Sequence, residues 1–245
     1  MSKIVKYRKG FSALPTYDEY SKALLHFDES PTKDEYSNTW LTYGSPIISS
    51  DYAKLNKSIK LDNGYIYTQD FTLGGQDFTI DFWAHGSGSN VFQPIFGMYS
   101  SNNKILLGYN DFTGIATLVV DETTQLINNN KINKGDWNHF AFIYSHSRNA
   151  LKFCINGDYS SEPPWYIEIP RTAFSWIAIG FDSQDGSQMP GAHPDSFFLG
   201  EIDEFHISDG IARWNYDFIP PLYTPAPNDI KFYDVPATPP CVVLN

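Results

Sequence analysis

The stretch Phe78-Thr79-Ile80-Asp81-Phe82-Trp83 places a large apolar side chain at every second position. The stretch Leu151-Lys152-Phe153-Cys154-Ile155-Asn156 repeats this pattern, and Asn156-Gly157 then supplies a tight turn. A period of two is typical of β-strands with one buried face, because successive side chains point to opposite sides of a sheet. These stretches therefore predict two strands of a sandwich.

The rest of the chain predicts the same class of structure. Of its 245 residues, 16% are aromatic and only 18% are charged, and 17 glycines and 16 prolines provide turns. Such a composition favours one all-β domain over a helical or disordered chain. Eight more short apolar segments predict strands: 24–28, 58–61, 65–68, 105–109, 115–120, 138–144, 176–180 and 197–207. No helical period exceeds about ten residues, so we expect at most one or two short helical turns.

The net charge of −11 argues against nonspecific binding to nucleic acid, which requires clustered Lys and Arg. No apolar run approaches the roughly 18 residues that span a bilayer, so we expect no membrane insertion. The first ten residues lack the apolar stretch of a secretory signal, and we expect no export by that route. The two cysteines, Cys154 and Cys241, are expected to be free thiols.

The two ends of the chain differ from the sequence between them. We divide the chain into a basic arm at 1–22, a sandwich at 23–224 and a proline-rich tail at 225–245, which should be extended. The cations of the arm are Lys3, Lys6, Arg8 and Lys9. The arm either docks onto a partner, which could be another copy of the chain, or is a frayed, solubilising terminus.

Several segments carry a family resemblance: 24–28, 58–66, 78–83, 137–141 and 151–157. They resemble, in this order, the laminin G-like domains of the concanavalin A-like lectin/glucanase superfamily. The closing segment Gly200-Glu201-Ile202-Asp203-Glu204-Phe205-His206-Ile207, continued through Arg213-Trp214 and Phe218-Ile219-Pro220-Pro221, is similar to the end of such domains in bacteriophage structural and tail proteins. The resemblance covers about residues 23–224 and implies a two-sheet antiparallel jelly-roll sandwich.

Three functions follow from this resemblance, because the fold hosts lectins, hydrolases, adhesion modules and spacers. The first is a non-enzymatic structural, decoration or tail component of a phage particle, docked onto other virion proteins through its arms. Such a protein would assemble in the host cytoplasm and later act outside it. The alternative is an extracellular adhesion module that binds host surface glycans. A glycoside hydrolase is the third.

The hydrolase expectation is tested by Glu201 and Asp203. Glucanases of the superfamily use a Glu-x-Asp-x-x-Glu strand whose carboxylates share one face. Here Phe205 and His206 stand where the second Glu should be, and the segment closes the domain instead of lying mid-chain. A lone carboxylate pair without an acid/base partner does not support hydrolysis, so we expect no enzymatic activity.

The resemblance also implies a structural calcium ion between Asp28 and Asp203, with carbonyl and water oxygens completing its shell. The alternative is simple hydrogen bonding of both carboxylates to nearby backbone. Zinc is unsupported, because the sequence has neither Cys-x-x-Cys nor His-x-x-x-His spacing.

If the protein binds sugar, exposed loop aromatics should stack on the pyranose face while polar groups bond its hydroxyls. Trp165 and Tyr166, within the turn-rich stretch 156–170, are the predicted rings. Asp182 and Asp185, in the polar loop 182–195, are the predicted polar neighbours. The alternatives are ordinary packing or a subunit contact for the rings and a solvated loop for the carboxylates.

Overall fold

The computed structural model describes most of the chain between Asp18 and Tyr223. The segments outside the description are 1–17, 63, 88–91, 101–103, 111–112, 121–122, 129–131, 161–162, 170–173, 175, 183–196 and 224–245. For residues 109 and 123–128 only the backbone is described.

The described residues form an all-β domain, as predicted. Its strands are β1 (Ser21–Leu25), β2 (Leu41–Gly44), β3 (Ile47–Ser49), β4 (Ser58–Lys60), β5 (Gly64–Thr68), β6 (Phe78–Gly86), β7 (Gln93–Tyr99), β8 (Lys104–Asn110), β9 (Ile115–Val120), β10 (Thr123–Asn128), β11 (Asn138–Ser145), β12 (Ala150–Ile155), β13 (Trp165–Tyr166), β14 (Trp176–Ile179) and β15 (Gly200–Asp209). One 3-10 turn, His146–Arg148, joins β11 to β12. Each of the ten predicted segments overlaps a strand.

Two antiparallel sheets pack face to face. One sheet has eight strands in the order β13-β12-β11-β6-β15-β4-β3, with β1 also paired to β15. The other has seven strands in the order β10-β9-β8-β7-β14-β5-β2. This arrangement confirms the two-sheet antiparallel sandwich.

The core between the sheets is aromatic. Phe82, Phe96, Phe140, Phe142 and Phe205 are fully buried, and they contact one another as tilted or stacked pairs. Burial of an aromatic side chain removes a large apolar area from water, which favours closure of the two sheets. The period of two therefore identified the inward face of the central strands correctly.

A bulge in β15 changes which side chains face outward. The pairing of β15 with β6 shifts register between Asp203 and His206, and Glu204 has a φ of 53°. Ile202 and Phe205 lie in the core, so the two residues between them are both directed away from it. A bulge inserts one residue into a strand and re-aims its side chains. It brings Glu204 to the outer face of the eight-stranded sheet.

The segment 211–223, which we call the strap, covers that outer face. Trp214 is buried on the outward side chains of β11 and β12. The Phe218 amide donates to the Gly157 carbonyl at 2.8 Å, and the Trp83 indole donates to the Pro221 carbonyl at 2.8 Å. Tyr223 at the end of the strap is 2% exposed. Polar residues on the outer face are therefore buried beneath the strap.

Candidate functional site

A buried carboxylate organises the polar network beneath the strap. Asp81 accepts from the Tyr223 hydroxyl at 2.7 Å and lies 3.2 Å from both His139 Nε2 and His206 Nδ1. Burial alone would raise the pKa of Asp81, but the hydrogen bonds from the two imidazoles lower it below its ordinary value. Asp81 therefore holds β6, β11, β15 and the strap together.

Part of this network has the atomic order of a hydrolase triad. Ser21 Oγ lies 2.9 Å from His206 Nε2, and His206 Nδ1 lies 3.2 Å from Asp81. The Ser21 hydroxyl, however, also donates to Asp18 and accepts from Arg213, and the residue is only 2% exposed. A nucleophile needs a free lone pair and access to substrate. Ser21 is almost inaccessible, and its single proton is directed to Asp18 instead of to the imidazole, so the arrangement is structural.

A second buried carboxylate, Glu204 of β15, binds the end of the strap. Glu204 accepts from the Tyr223 amide at 2.9 Å and from His26 Nδ1 at 2.8 Å. Burial raises the pKa of Glu204. Burial alone would lower the pKa of His26, but the adjacent Glu204 carboxylate raises it. Tyr223 is thus held at its amide by Glu204 and at its hydroxyl by Asp81.

The carboxylates considered for hydrolysis are also engaged within the protein. Glu201 lies 2.9 Å from His85 Nδ1, and the exposed Tyr52 stacks on that imidazole with ring centroids 4.9 Å apart. Asp203 accepts from the backbone amides of Lys54 at 2.9 Å and Leu55 at 2.8 Å, as well as from that of Glu204. Asp203 therefore fixes the loop that precedes β4.

Asp28 belongs to the same arrangement. It accepts from the Asn56 side chain and the Lys57 amide, both at 3.1 Å. A calcium ion between Asp28 and Asp203 would have to share oxygens that already accept N–H groups. In the parts of the chain that are described, no group of three or more His, Cys, Asp or Glu side chains could hold a metal. Calcium at this pair stays a prediction.

An open cleft of about 710 Å³ lies where the strap passes the end of β12. Its volume is within the range of about 300–1,000 Å³ typical of small-molecule sites. Two chain segments supply most of its lining, namely Tyr159, Ser160, Pro163 and Pro164 on one side and Asn215, Tyr216 and Asp217 on the other. The cleft combines aromatic, proline, hydroxyl, amide and carboxylate groups.

Hydrogen bonds fix the two sides of the cleft relative to each other. Asp217 accepts from the amides of Tyr159 at 3.0 Å and Ser160 at 2.9 Å. The Lys152 ammonium lies 4.8 Å from the centroid of the Tyr159 ring. Tyr216 remains 68% exposed. The cleft therefore contains the Tyr159 ring beside the Lys152 ammonium, the largely exposed Tyr216 ring, and the Asp217 carboxylate fixed by two backbone amides.

The residues predicted from the sequence to bind sugar lie in different parts of the structure. Trp165 and Tyr166 form β13 directly after Pro163 and Pro164 of the cleft. The Trp165 ring packs against the core, whereas Tyr166 is 80% exposed. Asp182 follows β14 in the other sheet and pairs with Lys104 at 2.5 Å. Asp185 lies outside the described residues, as do the four arm cations Lys3, Lys6, Arg8 and Lys9.

Only one side of the cleft carries a specific signal in the sequence. The turn-rich stretch 156–170 pointed to one side of it, whereas Tyr216 and Asp217 lie some fifty residues further along. Their only sequence signal was a break between the last strand and Pro220-Pro221, which indicates an irregular segment but not its position.

The family relationship rests on the sequence as well as on this architecture. The family model Laminin_G_3, of the Concanavalin A-like lectin/glucanases superfamily, matches residues 60–213. The chain belongs to this superfamily. Among curated protein sequences no match is found. In the part of the concanavalin A-like chain that is described, no helix is long and apolar enough to cross a membrane.

Solved structures share the fold at low sequence identity. Domain 4 of AbnA, a GH43 extracellular arabinanase from Geobacillus stearothermophilus solved with arabinotriose, aligns with a TM-score of 0.56 and 20% identity over 78% of this chain and 92% of that one. A botulinum neurotoxin type C structure, whose toxin requires two ganglioside molecules for cell entry, gives 0.55 and 15% over 77% and 48%. The binding domain of botulinum neurotoxin DC with SialylT gives 0.55 and 15% over 77% and 47%. The chain spans about half of each toxin structure.

Proposed function

We propose that this concanavalin A-like domain binds carbohydrate, without chemical turnover, through the cleft lined by 159–160 and 163–164 on one side and by 215–217 on the other. The observation that carries the proposal is the cleft itself. Tyr159 and Tyr216 line it from separate chain segments, and Ser160 and Asn215 contribute hydrogen-bonding groups to the same lining. Sugar recognition combines a flat apolar contact with directed polar bonds, which this set provides.

Two further observations support binding over hydrolysis. The similar arabinanase domain and botulinum binding domain were solved with oligosaccharides, arabinotriose and SialylT. Glu201 is paired with His85, and Asp203 is committed to backbone donors. A two-carboxylate hydrolysis requires one carboxyl group as acid and the other as nucleophile or base on the substrate. Neither group is directed at the cleft lining.

The test is retention on an array of neutral and sialylated oligosaccharides. Replacing Tyr216 with Ala should weaken binding about tenfold, because the open ring supplies the stacking surface. Tyr52→Ala is the matched control, since Tyr52 is 57% exposed and does not line the cleft. Absence of any retained glycan, or equal retention by wild type and Tyr216→Ala, would refute the proposal.

We further propose the virion as the setting of this module, which the closing segment supports by its resemblance to phage domains. Of the docking arms expected for that role, residues 1–17 and the tail 225–245 lie outside the described residues, whereas 18–22 lead into and begin β1. Removing 1–17 and 224–245 leaves the strap and its contacts in place. This truncated protein should fail to join particles, whereas wild-type occupancy after truncation would show that the arms do not dock it.

A further inference from the structure

The side of the cleft supplied by the strap is held on both of its flanks. We call residues 215–217 the cleft wall. Immediately after the wall, the Phe218 amide donates to Gly157, and its ring stacks on Trp214 with centroids 4.0 Å apart. Two positions before the wall stands Arg213, whose side chain is only 2% exposed. The wall is therefore a short exposed span between two fixed points.

The Arg213 guanidinium is fixed by the start of the sandwich. Its Nη1 and Nη2 each donate to a different oxygen of Asp18 at 2.9 Å, a two-pronged contact with directional geometry. Nη2 also reaches Ser21 Oγ at 3.1 Å, and Nε donates to Ser208. Asp18 in turn accepts from the amides of Tyr20 and Ser21 at 3.1 and 2.9 Å. Asp18 before β1, Ser21 in β1 and Ser208 in β15 therefore hold the Arg213 guanidinium in one orientation.

The backbone of Arg213 is fixed as well. Its amide donates to Thr79 Oγ1 at 3.0 Å, and the same hydroxyl donates to the Ile211 carbonyl at 3.0 Å. Trp214 follows, 5% exposed against β11 and β12. Trp214 is the one residue that separates Arg213 from Asn215, which lines the cleft. A displacement of Arg213 would therefore shift Asn215 through the backbone of Trp214.

We propose that Asp18 is a positioning residue for the cleft, acting through Arg213 to hold the cleft wall in its binding conformation. The proposal rests on the proposed function, because it treats the cleft as the binding site. Asp217 ties the far end of the wall to the amides of Tyr159 and Ser160, so Arg213 is the contact that fixes its near end. A wall fixed before the ligand arrives loses less conformational entropy on binding.

Amide hydrogen exchange of the full chain tests the clamp without any glycan. Asp18→Asn keeps the shape and the amide acceptor but removes the charge that orients the guanidinium. We expect exchange of the two hydrogen-bonded amides that flank the wall, Arg213 to Thr79 and Phe218 to Gly157, to accelerate about tenfold or more, while β6 and β11 keep wild-type protection. Asp62→Asn is the control, because Asp62 forms a partly exposed pair with Lys60 at 2.9 Å and lies away from the strap. Unchanged exchange of the Arg213 and Phe218 amides, or an equal increase throughout the sandwich, would overturn the clamp.

The oligosaccharide array separates this inference from the proposed function. If wild type retains a glycan, Asp18→Asn should retain it about tenfold less, and Asp18→Glu, which keeps the charge, should recover part of the loss. Equal retention by Asp18→Asn and wild type would overturn the positioning role. If wild type retains nothing, the proposed function fails, and the exchange experiment alone decides whether Asp18 fixes the wall.

Discussion

Asp81 shows how one residue acquires a role that its position in the pattern does not reveal. In the alternation of β6 it is an outward polar residue, which normally faces water. In the folded chain it is fully buried and meets His139, His206 and Tyr223. A buried charge is tolerated only when partners compensate for its lost hydration, and here the strap supplies one of them.

Replacing Asp81 with Ala should destabilise the protein by about 3–5 kcal/mol at pH 7, because three buried donors lose their acceptor. The folded-state pKa is lowered, so the contribution of Asp81 is present above its unfolded value near 3.9 and is lost as pH falls further. The difference between the two proteins should therefore narrow below about pH 4. Urea unfolding of wild type and Asp81→Ala at pH 7 and at about pH 3 measures this difference in the free energy of unfolding.

Asp62→Ala serves as the comparison for that experiment, since its pair with Lys60 is partly exposed. Surface pairs of this kind contribute about 0–1 kcal/mol. A loss at Asp81 as small as the loss at Asp62 would mean that the buried network does not stabilise the fold.

At the scale of elements, regular central strands were predictable and irregular or exposed ones were not. β6 and β12 show a clear period of two. β7 contains Pro94 and Gly97 with a register shift between Pro94 and Phe96, so its sequence lacks the alternation on which the prediction depends. All four residues of the edge strand β2 are exposed, and Leu41 and Tyr43 give an alternation too short to predict a strand. Pairing with neighbours, not pattern, defines these strands.

The strap depends on a glycine in the turn after β12. Gly157 has a φ of +80°, and an added Cβ would overlap the Phe218 carbonyl oxygen. Gly157→Ala should therefore combine the cost of a left-handed backbone, about 1–2 kcal/mol, with about 1–3 kcal/mol from the clash. Thermal unfolding gives the total, and faster exchange in the strap would locate it.

Gly135→Ala isolates the clash in this comparison. Gly135 has a φ of +67° but no atom within 4 Å of an added Cβ, so only the backbone cost applies. Equal destabilisation by both substitutions would show that the Phe218 contact does not constrain the turn.

At the scale of the whole molecule, the two ends of the sandwich fasten each other. Asp18 precedes β1 and pairs with Arg213 in the strap, while Tyr223 at the end of the strap is held by Asp81 and Glu204. The sequence-based boundaries at 23 and 224 do not consider these contacts. Among the described residues, Asp18 and Tyr223 complete the polar network at the two ends of the sandwich.

A chain of residues 23–223 should be less stable than a chain of residues 18–223 by about 1–3 kcal/mol, because the buried guanidinium of Arg213 loses Asp18 and Ser21 as acceptors. Urea denaturation of the two proteins tests this, and equal stability would contradict the fastening role of this end of the chain.

The sequence by itself determined the class of fold, its central strands and its inward faces, because these depend on local alternation of apolar side chains and on turn residues. It also carried the family relationship. Tertiary structure alone decided what covers the outward face of β6 and β15, which carboxylates become buried, and where a cleft opens. Those features arise because Asp18, Asp81 and Tyr159, which are distant from one another in the chain, each form a hydrogen bond with a residue of the strap. Tyr216 is itself part of the strap. An irregular strap has no period from which its path could be predicted, so its contacts are settled only by packing and hydrogen bonding.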